Sequence, residues 1–298
     1  MIKTRLVKLL SHTKKYIAQM VLWQWIALLG QITAIFSIGR MVDCILMRQM
    51  SDQVILTTFM ILVVAVAIRF LCDQMATRAS FAASVDVKRI LREKIYDKLL
   101  RLGASYREHV STSEVVQMST EGVEQLEIYF GKYLPQLFYS ILAPVTLFII
   151  LSFISLKASA VLLICVPLIP ISIVAVQKLA KKLLNKYWGL YTTLGDSFLE
   201  NLQGMTTLKI YQADEMKAVE MDEEAQNFRK ITMKVLTMQL NSTSVMDIIA
   251  YGGAAVGMIT AIHQYIAGNI TLGGTLIILL LASEFFIPLR LLGSFFHI

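Results

Sequence analysis

Charge is scarce in this sequence, and its scarcity argues against a soluble protein. Asp, Glu, Lys and Arg make up 16% of the 298 residues, whereas 56% are hydrophobic, and the mean hydropathy is +0.63. A typical soluble domain is about 25% charged. Runs of about 20 apolar residues are long enough to cross the roughly 30 Å hydrocarbon core of a bilayer. The composition therefore predicts a membrane protein.

Cysteine is also scarce. The three cysteines, Cys44, Cys72 and Cys165, lie far apart and lack the C-x-x-C spacing of a zinc or redox site. A disulfide framework is built from an even number of cysteines at characteristic spacings. We therefore expect neither a disulfide framework nor a metal site.

Catalytic motifs are missing from the chain. The one Gly-Lys pair, Gly131-Lys132, is followed by Tyr133 and lacks the upstream glycine of a G-x-x-x-x-G-K-[ST] phosphate loop. The sequence also lacks H-E-x-x-H and G-x-S-x-G. No residue of this chain is therefore predicted to be catalytic.

Apolar runs of membrane-spanning length occur six times. They predict an all-α membrane fold with six transmembrane helices, which we place at 16–38, 54–76, 134–155, 158–176, 245–266 and 272–292.

Basic residues are unevenly distributed between the segments that join these runs. Five Lys and Arg precede the first run and nine lie in each of the loops 77–133 and 177–244, whereas the opposite side carries Arg40, Arg48 and Lys157. The positive-inside rule predicts that both termini and both long loops are cytoplasmic. The net charge of +7 is explained by this topology. No basic stripe with interleaved aromatics suggests nucleic-acid binding.

The two long loops have helical patterns and predict two cytoplasmic helical hairpins. In the first, an amphipathic helix ends near Gly103, and Ser111 to Glu114 fits a capping box that begins the next helix. In the second, the polar stretch 196–216 is centred near Gly204. We expect residues 103–111 and 206–214 to form the tips of the hairpins.

Some polar and small residues inside the spans allow more than one interpretation. Arg69 and Asp73, at i and i+4, could form a structural salt bridge or line a substrate cavity. Glu284 is a functional candidate, or it lies where the last span projects from the bilayer. The pair Gly253 and Gly257 favours close helix packing, within one subunit or at a dimer seam.

The second tip carries a family motif. Glu200, Gly204, Leu208 and Lys209 match the E-x-x-x-G-x-x-x-(V/L)-K pattern of ABC exporters, and the six spans with two long hairpins resemble the membrane domain of that family over essentially the whole chain. The resemblance implies an ABC type 1 fold, a substrate pathway through the spans and ATP-driven export.

Three stretches resemble the CydD-type subunit of the CydDC exporter more closely. They are TSEVVQMSTEGVEQLEIYFGKYLPQ (112–136), ENLQGMTTLKIYQAD (200–214) and EFFIPLRLLGSFFH (284–297). This resemblance implies cysteine, glutathione or haem-related cargo for cytochrome bd assembly. It also implies the bacterial inner membrane and a second exporter subunit as partner, either in a CydC-like heterodimer or in a homodimer.

The sequence departs from the family because a nucleotide-binding domain is missing. The whole of 1–298 is accounted for by the membrane domain, and we expect a truncated chain rather than a separate nucleotide-binding subunit. ATP and Mg²⁺ would bind to that domain, and ATPase activity is expected only in its presence.

An exporter mechanism of this kind predicts two sets of site residues. Those expected to contact a nucleotide-binding domain are Ser105, Tyr106, Glu108, His109, Gly204, Thr207, Lys209, Tyr211 and Asp214. Those expected to line the substrate cavity are Arg69, Asp73, Tyr133, Gln136, Tyr139, Tyr251 and Glu284. The alternative function is an ATP-independent secondary carrier or a membrane assembly factor, although secondary carriers typically have broken helices at the midplane and no long cytoplasmic arms.

Overall fold

The computed structural model describes residues 13–48, 51–108 and 110–295. Of the predicted coupling residues, His109 lies outside the described residues.

Helices account for nearly all of the described chain, which contains no strand. The α-helices are α1 (Lys14–Leu46), α2 (Asp52–Leu102), α3 (Thr112–Gln117), α4 (Val123–Ile128), α5 (Leu134–Ser152), α6 (Leu156–Cys165), α7 (Leu168–Gln203), α8 (Met205–Ile210), α9 (Asp214–Ile266), α10 (Leu272–Ala282) and α11 (Ile287–Ser294).

Six helical stretches are long and apolar enough to cross a membrane, which confirms the predicted number of spans. They are Lys14–Leu46, Asp52–Leu102, Thr112–Ser152, Leu156–Ala175, Asp214–Ile266 and Leu272–Ser294. The second and fifth have 51 and 53 residues, which corresponds to roughly 75–80 Å of helix at 1.5 Å per residue. Since about 20 residues suffice to span the bilayer core, most of each helix belongs to a hairpin arm.

The first hairpin turns where the sequence predicts. α2 ends at Leu102, and Gly103 follows with φ of +56°, a conformation that glycine adopts without strain. A 3-10 helix, Gly103–Glu108, forms the turn. Ser111 then caps α3, because its Oγ accepts a hydrogen bond from the Glu114 backbone N–H at 3.2 Å.

Two π-helical segments interrupt the third long helix, at Met118–Gly122 and Tyr129–Tyr133. The second packs closely on α2. Ser80 Oγ donates to the Gly131 carbonyl at 2.9 Å, and a Cβ on Gly131 would lie 2.5 Å from Ser84 Oγ. The wider π turn and the absent side chain together allow this close approach.

The contacts divide the chain into two units, and the first contains the apolar spans. It comprises Met1–Ile90, Gln125–Ser172 and Val245–Ile298. Its largest fully buried side chains include those of Phe285 and Phe286.

Glycines set the closest helix contacts in the first unit. A Cβ on Gly273 would lie 2.2 Å from the Gly39 carbonyl oxygen, and one on Gly257 would lie 2.2 Å from Leu162. Gly253 is packed in the same way against Phe286. The Gly253 and Gly257 pair therefore packs within one subunit, and the alternative of a dimer seam is wrong for this face.

An acidic side chain joins the first and last spans. Asp43 on α1 accepts hydrogen bonds from the Gly273 N–H at 2.7 Å and from Thr271 Oγ1 at 2.9 Å. These groups are at the N-terminus of α10, where backbone N–H groups lack helical partners and a negative charge is favourable.

The second unit contains the hairpin arms, Leu91–Glu124 and Ile173–Ser244. The rings of Tyr187 and Tyr191 pack on Phe228, with centroids 5.3 and 5.6 Å away. Tyr191 donates a hydrogen bond to Glu121, and this bond raises the pKa of the Tyr191 hydroxyl to about 12. The hydroxyl therefore stays protonated and able to donate at physiological pH.

Candidate functional site

The first hairpin tip presents polar side chains to solvent. Ser105 and Glu108 are exposed. The Ser105 hydroxyl donates to the Leu102 carbonyl at 2.6 Å, which satisfies a carbonyl at the end of α2. Tyr106 is half-buried, and its hydroxyl is 3.2 Å from Thr112 Oγ1. The turn is therefore held by local hydrogen bonds.

The second tip is built around the short helix α8. Gly204 precedes it and donates its N–H to the Glu200 carbonyl at 2.8 Å. The helix ends in a turn with Gln212 at φ of +54°, where Ala213 N–H donates to the Leu208 carbonyl at 2.9 Å. An ion pair between Lys209 and Asp214 closes this turn.

Large apolar side chains are exposed at the second tip. Ile210 is 72% exposed and Tyr211 is 77% exposed, and Thr207 is also exposed. Beside them a groove of about 240 Å³ opens between Leu202, Met205 and neighbouring side chains. An exposed apolar group with charged residues at its rim is typical of a protein-docking surface.

The first unit contains a chain of polar side chains among its apolar spans. Arg69 on α2 donates from Nη1 to Gln31 Oε1 at 2.9 Å, and Gln31 Nε2 donates to Glu284 Oε1 at 2.8 Å. Tyr139 on α5 lies close enough to Glu284, Arg69 and Asp73 for electrostatic interaction. We call Gln31, Arg69, Asp73, Tyr139 and Glu284 the polar cluster.

The described part of the structure does not contain the salt bridge between Arg69 and Asp73 that was one of the two interpretations of the sequence. Among the described side chains the ion pairs do not include one between Arg69 and Asp73. The Arg69 guanidinium instead donates a hydrogen bond to Gln31. The i and i+4 spacing would allow Arg69 to contact Asp73 on the same helix, but the long Arg side chain extends to Gln31 on the neighbouring helix α1. Gln31 was missed, although an amide in an apolar span is a signal in its own right.

Glu284 lies at an interruption of the last span. The α-helical path breaks into the 3-10 turn Ser283–Phe285 between α10 and α11, and Pro288 follows at the start of α11. Because proline has no N–H and clashes with the preceding turn, it favours such a break. The carboxylate of Glu284 is half-buried and accepts a hydrogen bond from Gln31 on the first span.

Three predicted cavity residues have other partners. Tyr133 is buried and stacks on Tyr129 at 5.2 Å. Gln136 is buried, and its Nε2 donates to the Pro288 carbonyl at 2.8 Å. Tyr251 is 58% exposed, and its ring lies 5.8 Å from the Arg290 guanidinium. The polar cluster therefore contains four of the seven predicted cavity residues, Arg69, Asp73, Tyr139 and Glu284, together with Gln31.

Metal coordination has no visible basis in the described part of the chain. Over residues 13–48, 51–108 and 110–295, no group of three His, Cys, Asp or Glu residues is arranged to hold an ion.

This architecture of six long spans and two helical hairpins matches a known family. The sequence model described as the ABC transporter transmembrane region matches residues 20–289. The chain belongs to the ABC transporter transmembrane family. A bacterial Atm1-family ABC exporter solved with ATP bound has the same fold, with a TM-score of 0.81 over 96% of this chain and 51% of that chain, at 16% identity.

Relatives of this ABC exporter membrane domain include both uncharacterised and named transporters. A Haemophilus influenzae protein described as an uncharacterized ABC transporter ATP-binding protein is 53% identical over 277 residues, 93% of this chain and 50% of the relative. The Escherichia coli glutathione/L-cysteine transport system ATP-binding/permease protein CydD is 25% identical, with 91% and 48% covered. The chain spans about half the length of these relatives.

Proposed function

We propose that this chain forms one membrane half of an ATP-driven exporter in the bacterial inner membrane, with both termini and both hairpins in the cytoplasm. The observation that carries the proposal is the exposed second tip, where Ile210 and Tyr211 are largely uncovered beside the Lys209 and Asp214 ion pair. The motif that includes Gly204 and Lys209 lies on this surface. A nucleotide-binding domain would dock there.

In this proposal, a nucleotide-binding domain docked at the tips couples ATP binding and hydrolysis to movement of the spans. α2 leads to the first tip and α9 leads from the second, and both are continuous helices that include an apolar span. Movement of a nucleotide-binding domain at a tip would therefore shift a whole helix. Such a shift requires that the domain bind one conformation better than the other. The sequence contains no phosphate loop, so none of its own residues is assigned to ATP or Mg²⁺.

A second membrane domain completes the pathway. Arg69 and Asp73 are exposed on α2, in the span whose most apolar window is only 11% buried. A charged side chain is costly when it faces lipid, and such residues usually face a bundle interior or a water-filled cavity. We infer that a second exporter subunit, either CydC-like or another copy of this chain, covers this face and encloses the polar cluster.

Cysteine or glutathione is the proposed cargo, and haem is the second candidate. The relatives named as glutathione/L-cysteine transport proteins include the Escherichia coli CydD protein and a Bacillus subtilis CydC protein that is 26% identical. The polar cluster supports a zwitterionic solute because it combines a guanidinium with two carboxylates. Arg69 would bind a carboxylate of the cargo, and Glu284 or Asp73 would bind its ammonium group.

Transport assays test this assignment. Inverted membrane vesicles containing the full-length transporter and its partner should take up cysteine or glutathione in an ATP-dependent manner. Arg69→Gln should raise the KM for the thiol roughly tenfold or more, because a hydrogen bond to a charged group is worth about 1.5–3 kcal/mol. Uptake of radiolabelled thiol and of haem at matched protein levels provides the measurement.

Arg78→Gln is the matched control, because Arg78 is an exposed arginine on the same helix. It should leave the KM unchanged. Uptake of haem without thiol would overturn the thiol assignment. Thiol uptake that persists without ATP or nucleotide-binding domains would favour a secondary carrier instead.

A further inference from the structure

A cavity in the first unit shares no lining residue with the polar cluster and is unused by the proposed transport function. It is an apolar groove of about 550 Å³ between α1 and α5. Ile17 and Leu134 are buried at 8% and 2% exposure, whereas Leu22 and Phe138 are 52% and 46% exposed. The first pair therefore forms the floor of the groove and the second pair its walls. We call it the α1–α5 groove.

One end of the groove is positively charged. Lys14, the first residue of α1, is the one charged side chain among the lining residues that the structure describes. The first turn of α1 has no acidic residue. The Lys14 ammonium group therefore favours an anion at this mouth.

The other end of the groove is marked by a contact between its two helices. Trp25 lines it there, and its indole N–H donates to Thr146 Oγ1 at 3.0 Å, which ties α1 to α5. From Lys14 to Trp25 is 11 residues, or about 16 Å of helix. One leaflet of the hydrocarbon core is about 15 Å thick, half of the whole. The groove therefore runs from the headgroup level to the middle of the bilayer.

We propose that the α1–α5 groove is a specific binding site for an anionic phospholipid. One acyl chain lies along the groove against Ile17, Leu134 and Phe138, and the phosphate contacts Lys14. Basic pockets between transmembrane helices bind anionic headgroups in the same way. The buried floor and a lysine with no acidic residue in the lining distinguish this groove from another groove of about 660 Å³ in the same unit, where Asp43 accompanies Arg40. The inference does not depend on the cargo or on ATP coupling.

Lipid titration of the transporter purified with its partners in detergent tests the charge of the site. Delipidated protein is titrated with phosphatidylglycerol or phosphatidylcholine, and bound lipids are counted by native mass spectrometry. We expect one saturable site with at least about fivefold preference for phosphatidylglycerol, the contribution of one lysine near a membrane surface. Lys14→Gln should abolish the preference. Lys15→Gln should leave it within about twofold, because Lys15 does not line the groove.

A fluorescence experiment tests the position of the acyl chain without disturbing the groove. In a Trp23→Phe, Trp188→Phe background, Trp25 is the one indole left within residues 1–298, and tryptophans elsewhere in the transporter are replaced by Phe as well. Phosphatidylglycerol brominated on its acyl chain should quench Trp25 at a low mole fraction, and unlabelled phosphatidylglycerol should reverse the quenching. The matched reporter is Trp23 in a Trp25→Phe, Trp188→Phe background, which should be quenched only in proportion to total brominated lipid.

Filling the groove provides the steric test. Ala18→Trp should remove saturable binding of phosphatidylglycerol, whereas Ile164→Trp, at a 72% exposed position on another span, should not. The proposal is overturned if Lys14→Gln and Lys15→Gln have equal effects, or if brominated phosphatidylcholine quenches Trp25 as strongly as phosphatidylglycerol. It is also overturned if binding appears only after deletion of residues 2–11, since that segment would then be the occupant.

Discussion

At the scale of single residues, charges inside the spans are stabilised by partners on other helices. Arg290 on α11 forms a two-bond ion pair with Asp247 on α9, with Nη2 donating to Oδ2 at 3.1 Å. The guanidinium also lies over the ring of Tyr251. Because a charge in an apolar span is costly without a partner, this pair joins the fifth and sixth spans.

The ion pair predicts a coupled effect on stability. Asp247→Asn and Arg290→Gln should each lower the thermal unfolding temperature in detergent, because each leaves one charge without its partner. The double variant should lose less than the sum of the two, by roughly 0.6–1.7 kcal/mol of coupling. Lys157→Gln, at an exposed position, is the control. Additive losses would show that the contact contributes nothing.

At the scale of elements, the second tip depends on a short helix held at both ends. Gly204 N–H donates to the Glu200 carbonyl at one end, and the Lys209 and Asp214 ion pair closes the other. Neither contact buries much surface. The conformation of α8 is therefore set by a few local bonds, which makes it sensitive to single substitutions.

Substitutions at this tip should uncouple ATPase activity from transport in the full-length protein. Gly204→Pro removes the N–H that bonds Glu200, and Lys209→Glu replaces the ion pair with two like charges. We expect ATPase activity within about twofold of wild type and transport reduced roughly tenfold, within the usual range of coupling energies. Both rates are measured in the same vesicles.

Two milder variants control for general damage to the hairpin. Gly204→Ala keeps the N–H, and its Cβ would lie 3.2 Å from the Glu200 carbonyl, so transport should be largely preserved. Lys234→Glu changes charge at an exposed position on the same hairpin that does not line the groove at this tip, so coupling should be preserved. Unchanged coupling in Gly204→Pro and Lys209→Glu would show that the tip does not transmit movement.

At the scale of the whole molecule, the chain leaves one of its spans largely uncovered. Phe59, Phe70 and Leu71 on α2 are 62–63% exposed, as lipid-facing or subunit-facing side chains would be, and Arg69 lies among them. The apolar residues are compatible with lipid, but the arginine is not. The second membrane domain proposed for this face would accommodate both.

The proposed orientation predicts which loops react from outside the cell. In a background without Cys44, Cys72 and Cys165, Phe153→Cys should react with a membrane-impermeant maleimide in intact cells. Phe153 is 87% exposed in the turn between the third and fourth spans. Tyr211→Cys should react only after permeabilisation. The reverse pattern would place the hairpins outside and contradict the positive-inside prediction.

Much of the fold follows from the sequence alone, because spans and amphipathic arms have their own length and periodicity. The six spans, the end of α2 next to Gly103 and the cap at Ser111 were predicted and are confirmed. These features depend on neighbours within a few residues along the chain. The family was also predicted correctly, because the motif around Gly204 is local.

The contacts between helices were decided by the tertiary structure. The sequence places Arg69 and Asp73 one turn apart, but only the packing of α1 on α2 brings Gln31 to the guanidinium and links it to Glu284. The π segments and the α1–α5 groove depend in the same way on which faces meet. A six-span pattern determines how many helices cross the membrane, whereas pairing, closeness and the resulting sites are settled by shape complementarity between residues far apart in the chain.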